Sequence, residues 1–131
     1  MIKKLTHLTL FVHNQEETVT FYTTKLGFTV HTDVMGENGV RWLTICLPEQ
    51  QDFELILMPA MNEFETSLVG QQGNTMPLAC FSTNDCVKTY EEMSAKGVEF
   101  TQKPLQQPWG INAVFKDLYG TLFNLVEPKL E

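Results

Sequence analysis

A chain of 131 residues, 43% hydrophobic and 19% charged, has the length of one compact domain and the apolar content for a core without staples. Nine basic against sixteen acidic residues give a net charge of −7, which sets phosphate backbones against the surface and excludes a nucleic-acid partner. No apolar run approaches the about 20 residues of a membrane helix, and no long apolar segment follows the basic start at Lys3-Lys4. The expectation is a soluble cytoplasmic protein with no membrane partner, whose field favours a neutral or cationic small molecule.

Residues 5–12 alternate as a strand, with Leu8, Leu10 and Val12 on one face and His7, Thr9 and Phe11 on the other. Asn14 followed by Glu17 marks a helix start, and Val19, Tyr22 and Leu26 recur as one helix face. Gly27 stops that helix. Strands follow at 28–34, 40–47 and 53–58, separated by turns rich in Gly, Asn and Pro. Residues 59–75 read as a linker with room for a short helix. A strand at 78–82 then leads to a second helix, capped by Asn84 or Asp85, with Val87, Tyr90 and Met93 on one face and Gly97 as its stop. Strands at 98–101, 111–116 and 122–126 complete the chain. The order is βαβββ, linker, βαβββ.

That order implies a duplication. A shift of 70 residues superposes Leu8 on Leu78, Phe11 on Phe81, Asn14 on Asn84, Gly27 on Gly97, Phe53 on Phe123 and Leu55 on Leu125. The matches fall in the first strand, helix cap, helix stop and last strand of each half, although the helix faces are out of phase. The fold class is therefore α+β, with module 1 at about 1–59, a linker at 60–75 and module 2 at about 76–131. Two curved mixed sheets of this kind would surround a central pocket.

On the first strand the inward polar residue is His7, and on the last strand of that half it is Glu54. An imidazole and a carboxylate can share a divalent metal, work as an acid–base pair, or satisfy one another as an ordinary hydrogen-bonded pair. The repeat places Pro77 and Asn124 at the corresponding positions. His13 and His31 read as surface histidines. Cys46, Cys80 and Cys86 form an odd set without metal-finger spacing and read as reduced core cysteines. There is no phosphate-cradling Gly loop, nucleotide fingerprint or nucleophile elbow, so covalent catalysis has no candidate.

The runs His7-Leu8-Thr9-Leu10-Phe11-Val12 and Phe21-Tyr22-Thr23-Thr24-Lys25-Leu26-Gly27-Phe28 resemble the vicinal oxygen chelate superfamily, which includes glyoxalase I, bleomycin-resistance proteins and extradiol dioxygenases. Phe53-Glu54-Leu55, Ala95-Lys96-Gly97-Val98 and Asp117-Leu118-Tyr119-Gly120 continue the resemblance in order over nearly the whole chain. Arg41-Trp42 and Pro108-Trp109-Gly110 resemble an uncharacterised glyoxalase-like branch. The resemblance implies paired βαβββ units, a homodimer, and a divalent metal (zinc, nickel, manganese or iron) held on the first and last strands of each module. Carried over by position, His7 and Glu54 match as ligands, Asn124 offers a weaker amide oxygen, and Pro77 offers none. That is fewer than the three protein ligands a catalytic site needs, so no metal at all is the other expectation.

His7 and Glu54 are the expected catalytic pair. Trp42, Trp109, Phe115 and Phe123 are aromatics that would either line a pocket or fill a core. Arg41 would either pair a ligand carboxylate or stand solvated on the outer face, and alternation sets it opposite Trp42, so both share a pocket only across a bulge. Two functions follow: a lyase or oxidoreductase of glyoxalase or dioxygenase type, but not glyoxalase I itself, or a protein that sequesters an antibiotic-like small molecule.

Overall fold

The computed structural model describes residues 1–130 and divides the chain into two compact units, Met1–Val69 and the part from Gly70 onward. The first unit runs β1 (His7–Val12), α1 (Gln15–Lys25), β2 (Thr29–Met35), β3 (Arg41–Leu47), β4 (Gln50–Pro59) and α2 (Glu63–Leu68). The second runs β5 (Ala79–Ser82), α3 (Cys86–Ala95), β6 (Phe100–Gln107), β7 (Gly110–Lys116) and β8 (Leu122–Pro128). Each unit holds a four-stranded mixed sheet, ordered β1-β4-β3-β2 and β5-β8-β7-β6, with the first and last strands parallel and the rest antiparallel. This is the α+β pair of βαβββ modules the sequence implies, and neither sheet closes into a barrel. No helix is long and apolar enough to cross a membrane among the described residues.

Local chemistry sets the helix ends. The Asn14 side chain accepts from the Glu17 amide at 2.7 Å, and Asp85, rather than Asn84, accepts from Lys88 at 3.0 Å. In the linker the Asn62 side chain caps α2 by accepting from the Glu65 amide at 2.8 Å, and the Glu65 carboxylate accepts from the amide of Met61, one residue before the cap, at 3.0 Å. Gly27 and Gly97 stand at φ 78° and 92° just past α1 and α3, where a side chain would strain the left-handed turn.

The helix faces differ from the expectation. Helix α1 buries Thr18 and Tyr22, and α3 buries Cys86 and Met93 while Val87 is exposed. Strand β6 runs to Gln107, well past 101, in spite of Pro104. It is an edge strand with two register shifts, where a missing amide donor is tolerated.

Arg41 ties β3 to α1 through Glu16, so the face of Arg41, Leu43 and Ile45 is the one α1 covers. Leu10, Leu55 and Leu57 are buried on that same face. The opposite face carries His7, Thr9, Trp42, Thr44, Cys46, Glu54 and Ile56. In the second unit α3 covers the face of Phe115, Phe123 and Leu125, where Tyr90 meets Phe100 at 4.7 Å. Asn112, Val114 and Asn124 point the other way.

Candidate functional site

Pairing of β1 with β4 sets His7 beside Glu54, and the imidazole Nε2 lies 2.9 Å from Glu54 Oε2. The second carboxylate oxygen, Oε1, accepts from the Thr44 hydroxyl at 2.6 Å and lies 3.0 Å from His31 Nδ1. Glu54 is therefore gripped by three side chains from three strands. Only 14% of its side chain remains exposed, and a carboxylate so far out of water needs such partners. Thr44 is fully buried, whereas about a third of each histidine is exposed. The Trp42 ring lies 6.2 Å from His7, tilted by 55°, with 37% of the residue exposed. Burial, and to a lesser extent the Glu54 charge, pushes the nearby Cys46 thiol up from its ordinary pKa.

His31 is exposed, as a surface histidine should be, but strand alternation alone would turn its ring away from Glu54. The register of β2 on β3 slips between Val30 and Thr32, and the extra residue in that bulge is His31. The bulge lets His31 and Thr32 share Glu54's face, with His31 Nδ1 also 2.8 Å from Thr32 Oγ1. Thr44 had a visible signal, since alternation places it with Trp42. His31 had none.

Arg41, Phe115 and Phe123 take the structural alternative and not that of a ligand contact. Arg41 is held by Asp33, at 2.8 Å through Nε and 2.7 Å through Nη2, and by Glu16, on the helix-covered face opposite Trp42. Its guanidinium is already paired and keeps the Asp33 carboxyl below its usual pKa. Phe115 and Phe123 are 2% and 1% exposed and pack on one another at 5.7 Å and on Phe81. Alternation puts Phe123 opposite Asn124, so both rings belong to the core of their unit. Trp109 sits half exposed at the turn from β6 to β7.

Asn124 lies on β8 across from Cys80, not Pro77, because the parallel pairing in the second unit is offset by three residues relative to His7 and Glu54. Its Oδ1 accepts from Asn112 Nδ2 at 3.0 Å, and its amide faces Cys80 Sγ at 3.6 Å. Asn112 in turn accepts from Gln102 and Gln107 at 3.2 and 3.1 Å. Every oxygen that the resemblance offers a metal is thus occupied by a protein donor. The two imidazoles approach opposite oxygens of Glu54, and no group of three or more His, Cys, Asp or Glu side chains is placed to hold a metal among the described residues. The donor set does not fit a metal.

Two βαβββ units, the first with a histidine and a carboxylate on adjacent first and last strands, define a glyoxalase-type protein. The model of the Glyoxalase/Bleomycin resistance protein/Dioxygenase superfamily matches residues 4–125, and the chain belongs to that superfamily. It is 33% identical over 130 residues to the uncharacterized protein YurT of Bacillus subtilis (strain 168), covering 95% of this chain and 98% of YurT. Among solved structures it is similar to UcmS2, with a TM-score of 0.86 at 30% identity over 97% of this chain and 99% of that one. It is also similar to TnmS3, an antibiotic binding protein from Streptomyces sp. CB03234, with a TM-score of 0.80 at 26% identity over 98% of each chain.

Proposed function

We propose that this protein binds a small planar aromatic molecule, neutral or cationic, on the Glu54 face of its first unit, and that Glu54 organises that face rather than a metal. The observation that carries this reading is the engagement of Glu54 by His7, His31 and Thr44 beside an accessible Trp42. A carboxylate bound three ways is a poor metal ligand and a poor base, whereas a fixed polar floor beside an aromatic wall suits an organic ligand. Similarity to an antibiotic binding protein supports the same class, and the charge of −7 disfavours anions. A homodimer accompanies this reading, supported by exposed Val30 and Met35 on the edge strand β2. A lyase or oxidoreductase using His7 and Glu54 is the alternative, and it requires those groups to leave their present partners.

The test uses Trp109→Phe, which leaves Trp42 as the sole tryptophan. Its emission is followed against bleomycin, proflavine and 2-naphthol. A saturable change with at least one of them below about 100 μM, lost in Trp42→Ala when followed by calorimetry, is the expected result. No saturable change with any of the three up to about 1 mM overturns the reading. Turnover of a glutathione hemithioacetal after nickel or zinc loading would instead establish the enzyme.

A further inference from the structure

We infer that His31 reads the polar group of the ligand, its Nε2 accepting a hydrogen bond from an acidic hydroxyl or N–H such as a phenol. This rests on the binding reading above and names the chemistry of its ligand.

The inference follows from where the protons must lie. An ionised carboxylate only accepts, and Oε1 of Glu54 already takes the Thr44 hydroxyl proton at 2.6 Å. A bare Nδ1 lone pair 3.0 Å from that oxygen would be repelled, so Nδ1 of His31 carries its hydrogen and shares it between Glu54 Oε1 and, at 2.8 Å, Thr32 Oγ1, whose hydroxyl oxygen also accepts. The neutral ring then has its lone pair on Nε2, the atom these bonds leave over. His7 is in the opposite position. Its Nε2 donates to Glu54 at 2.9 Å, and its Nδ1 accepts from Thr6 Oγ1 at 2.8 Å, so both ring atoms are engaged within the protein. Of the two imidazoles on Glu54, His31 is the one with an acceptor to offer.

Geometry makes that acceptor specific. The bulge in β2 and the contacts of Nδ1 with Glu54 at 3.0 Å and Thr32 at 2.8 Å fix the ring's orientation from one edge and leave the Nε2 edge facing away from both. A carboxylate behind an imidazole sets its tautomer and strengthens the far nitrogen as an acceptor. About a third of the side chain is exposed, so a ligand can reach the ring without unfolding the bulge. A donor such as a phenolic hydroxyl complements this lone pair, and the corresponding ether does not.

Two measurements test this. Nitrogen-detected NMR of the histidine rings should show His31 as the Nδ1–H tautomer in the free protein, becoming a mixture in Glu54→Gln. Calorimetric titration should show 2-naphthol binding roughly tenfold tighter than 2-methoxynaphthalene, with the preference abolished in His31→Ala and partly restored in His31→Gln. An Nε2–H tautomer in the wild type overturns the inference, as does a hydroxyl preference that survives in His31→Ala. If bleomycin or proflavine binds while 2-naphthol and its ether bind equally, the inference fails and the binding function stands. If none of these compounds binds, the proposed function falls and takes the inference with it.

Discussion

Replacing Glu54 with alanine tests the polar floor directly. The carboxylate accepts from three side chains, but the three losses differ in cost. His7 and His31 keep about a third of their surface in water and can rehydrate, so their share is small. Thr44 cannot, because it is fully buried and its hydroxyl points at Glu54. An orphaned buried donor costs about 1–3 kcal/mol, offset in part because no carboxylate is then held away from water. A net loss of about 1–2 kcal/mol is expected on this bookkeeping. The assay is urea unfolding followed by circular dichroism, with Thr44→Val and the double variant completing a cycle. Once Thr44 is valine there is no donor to orphan, so the double variant should be more stable than additivity predicts by about 1 kcal/mol. Additive effects within about 0.3 kcal/mol would refute the bond between Thr44 and Glu54, and with it the anchored carboxylate.

Phe123→Ala should destabilise the protein by about 3–5 kcal/mol in the same assay, as deletion of a fully buried ring does, while Trp42→Ala should cost less than about 1 kcal/mol and abolish aromatic binding. Cys80 is exposed and not in the core as its strand position suggests, so a thiol reagent should label it in the native protein and reach the buried Cys46 and Cys86 only on unfolding, as mass spectrometry of the peptides would show. Burial raises the pKa of Cys46 and Cys86 above the unfolded value of 9.0, so the native state holds protons the unfolded state releases. Stability measured by urea unfolding should therefore fall as pH rises through about 9. The Asp33 carboxyl, depressed by Arg41, favours folding above its ordinary titration range and loses that contribution as pH falls through the depressed value. Carboxyl NMR should show its midpoint return to the ordinary range in Arg41→Ala. Light scattering should give a mass of twice 15.0 kDa.

Much of the frame was legible because it is written locally. The cap at Asn14, the stops at Gly27 and Gly97 and the two periodicities depend on residues within one or two turns of each other. The pair of His7 and Glu54 was legible for a related reason, since their strands have visible inward faces and the structure sets them 2.9 Å apart. Phe115 and Phe123 were not, because an aromatic in a strand has the same sequence signature whether it meets a ligand or a neighbouring helix. For Arg41 the choice between ligand partner and outer-face charge was not legible either, because its partners, Asp33 and Glu16, are 8 and 25 residues away.

By itself the sequence determined the class: α+β, duplicated, with a histidine and a carboxylate on the first and last strands of one half. It also determined, through charge, that the surface disfavours polyanions. Tertiary structure alone decided what the site residues do to each other. A single slipped residue in β2 turns His31 toward Glu54, and a three-residue offset between the parallel pairings sets Cys80, not Pro77, beside Asn124. The physical reason is that register has a period of two. One residue gained or lost against a neighbouring strand moves a side chain to the other face, and nothing in the strand's own sequence records which neighbour it will slip against.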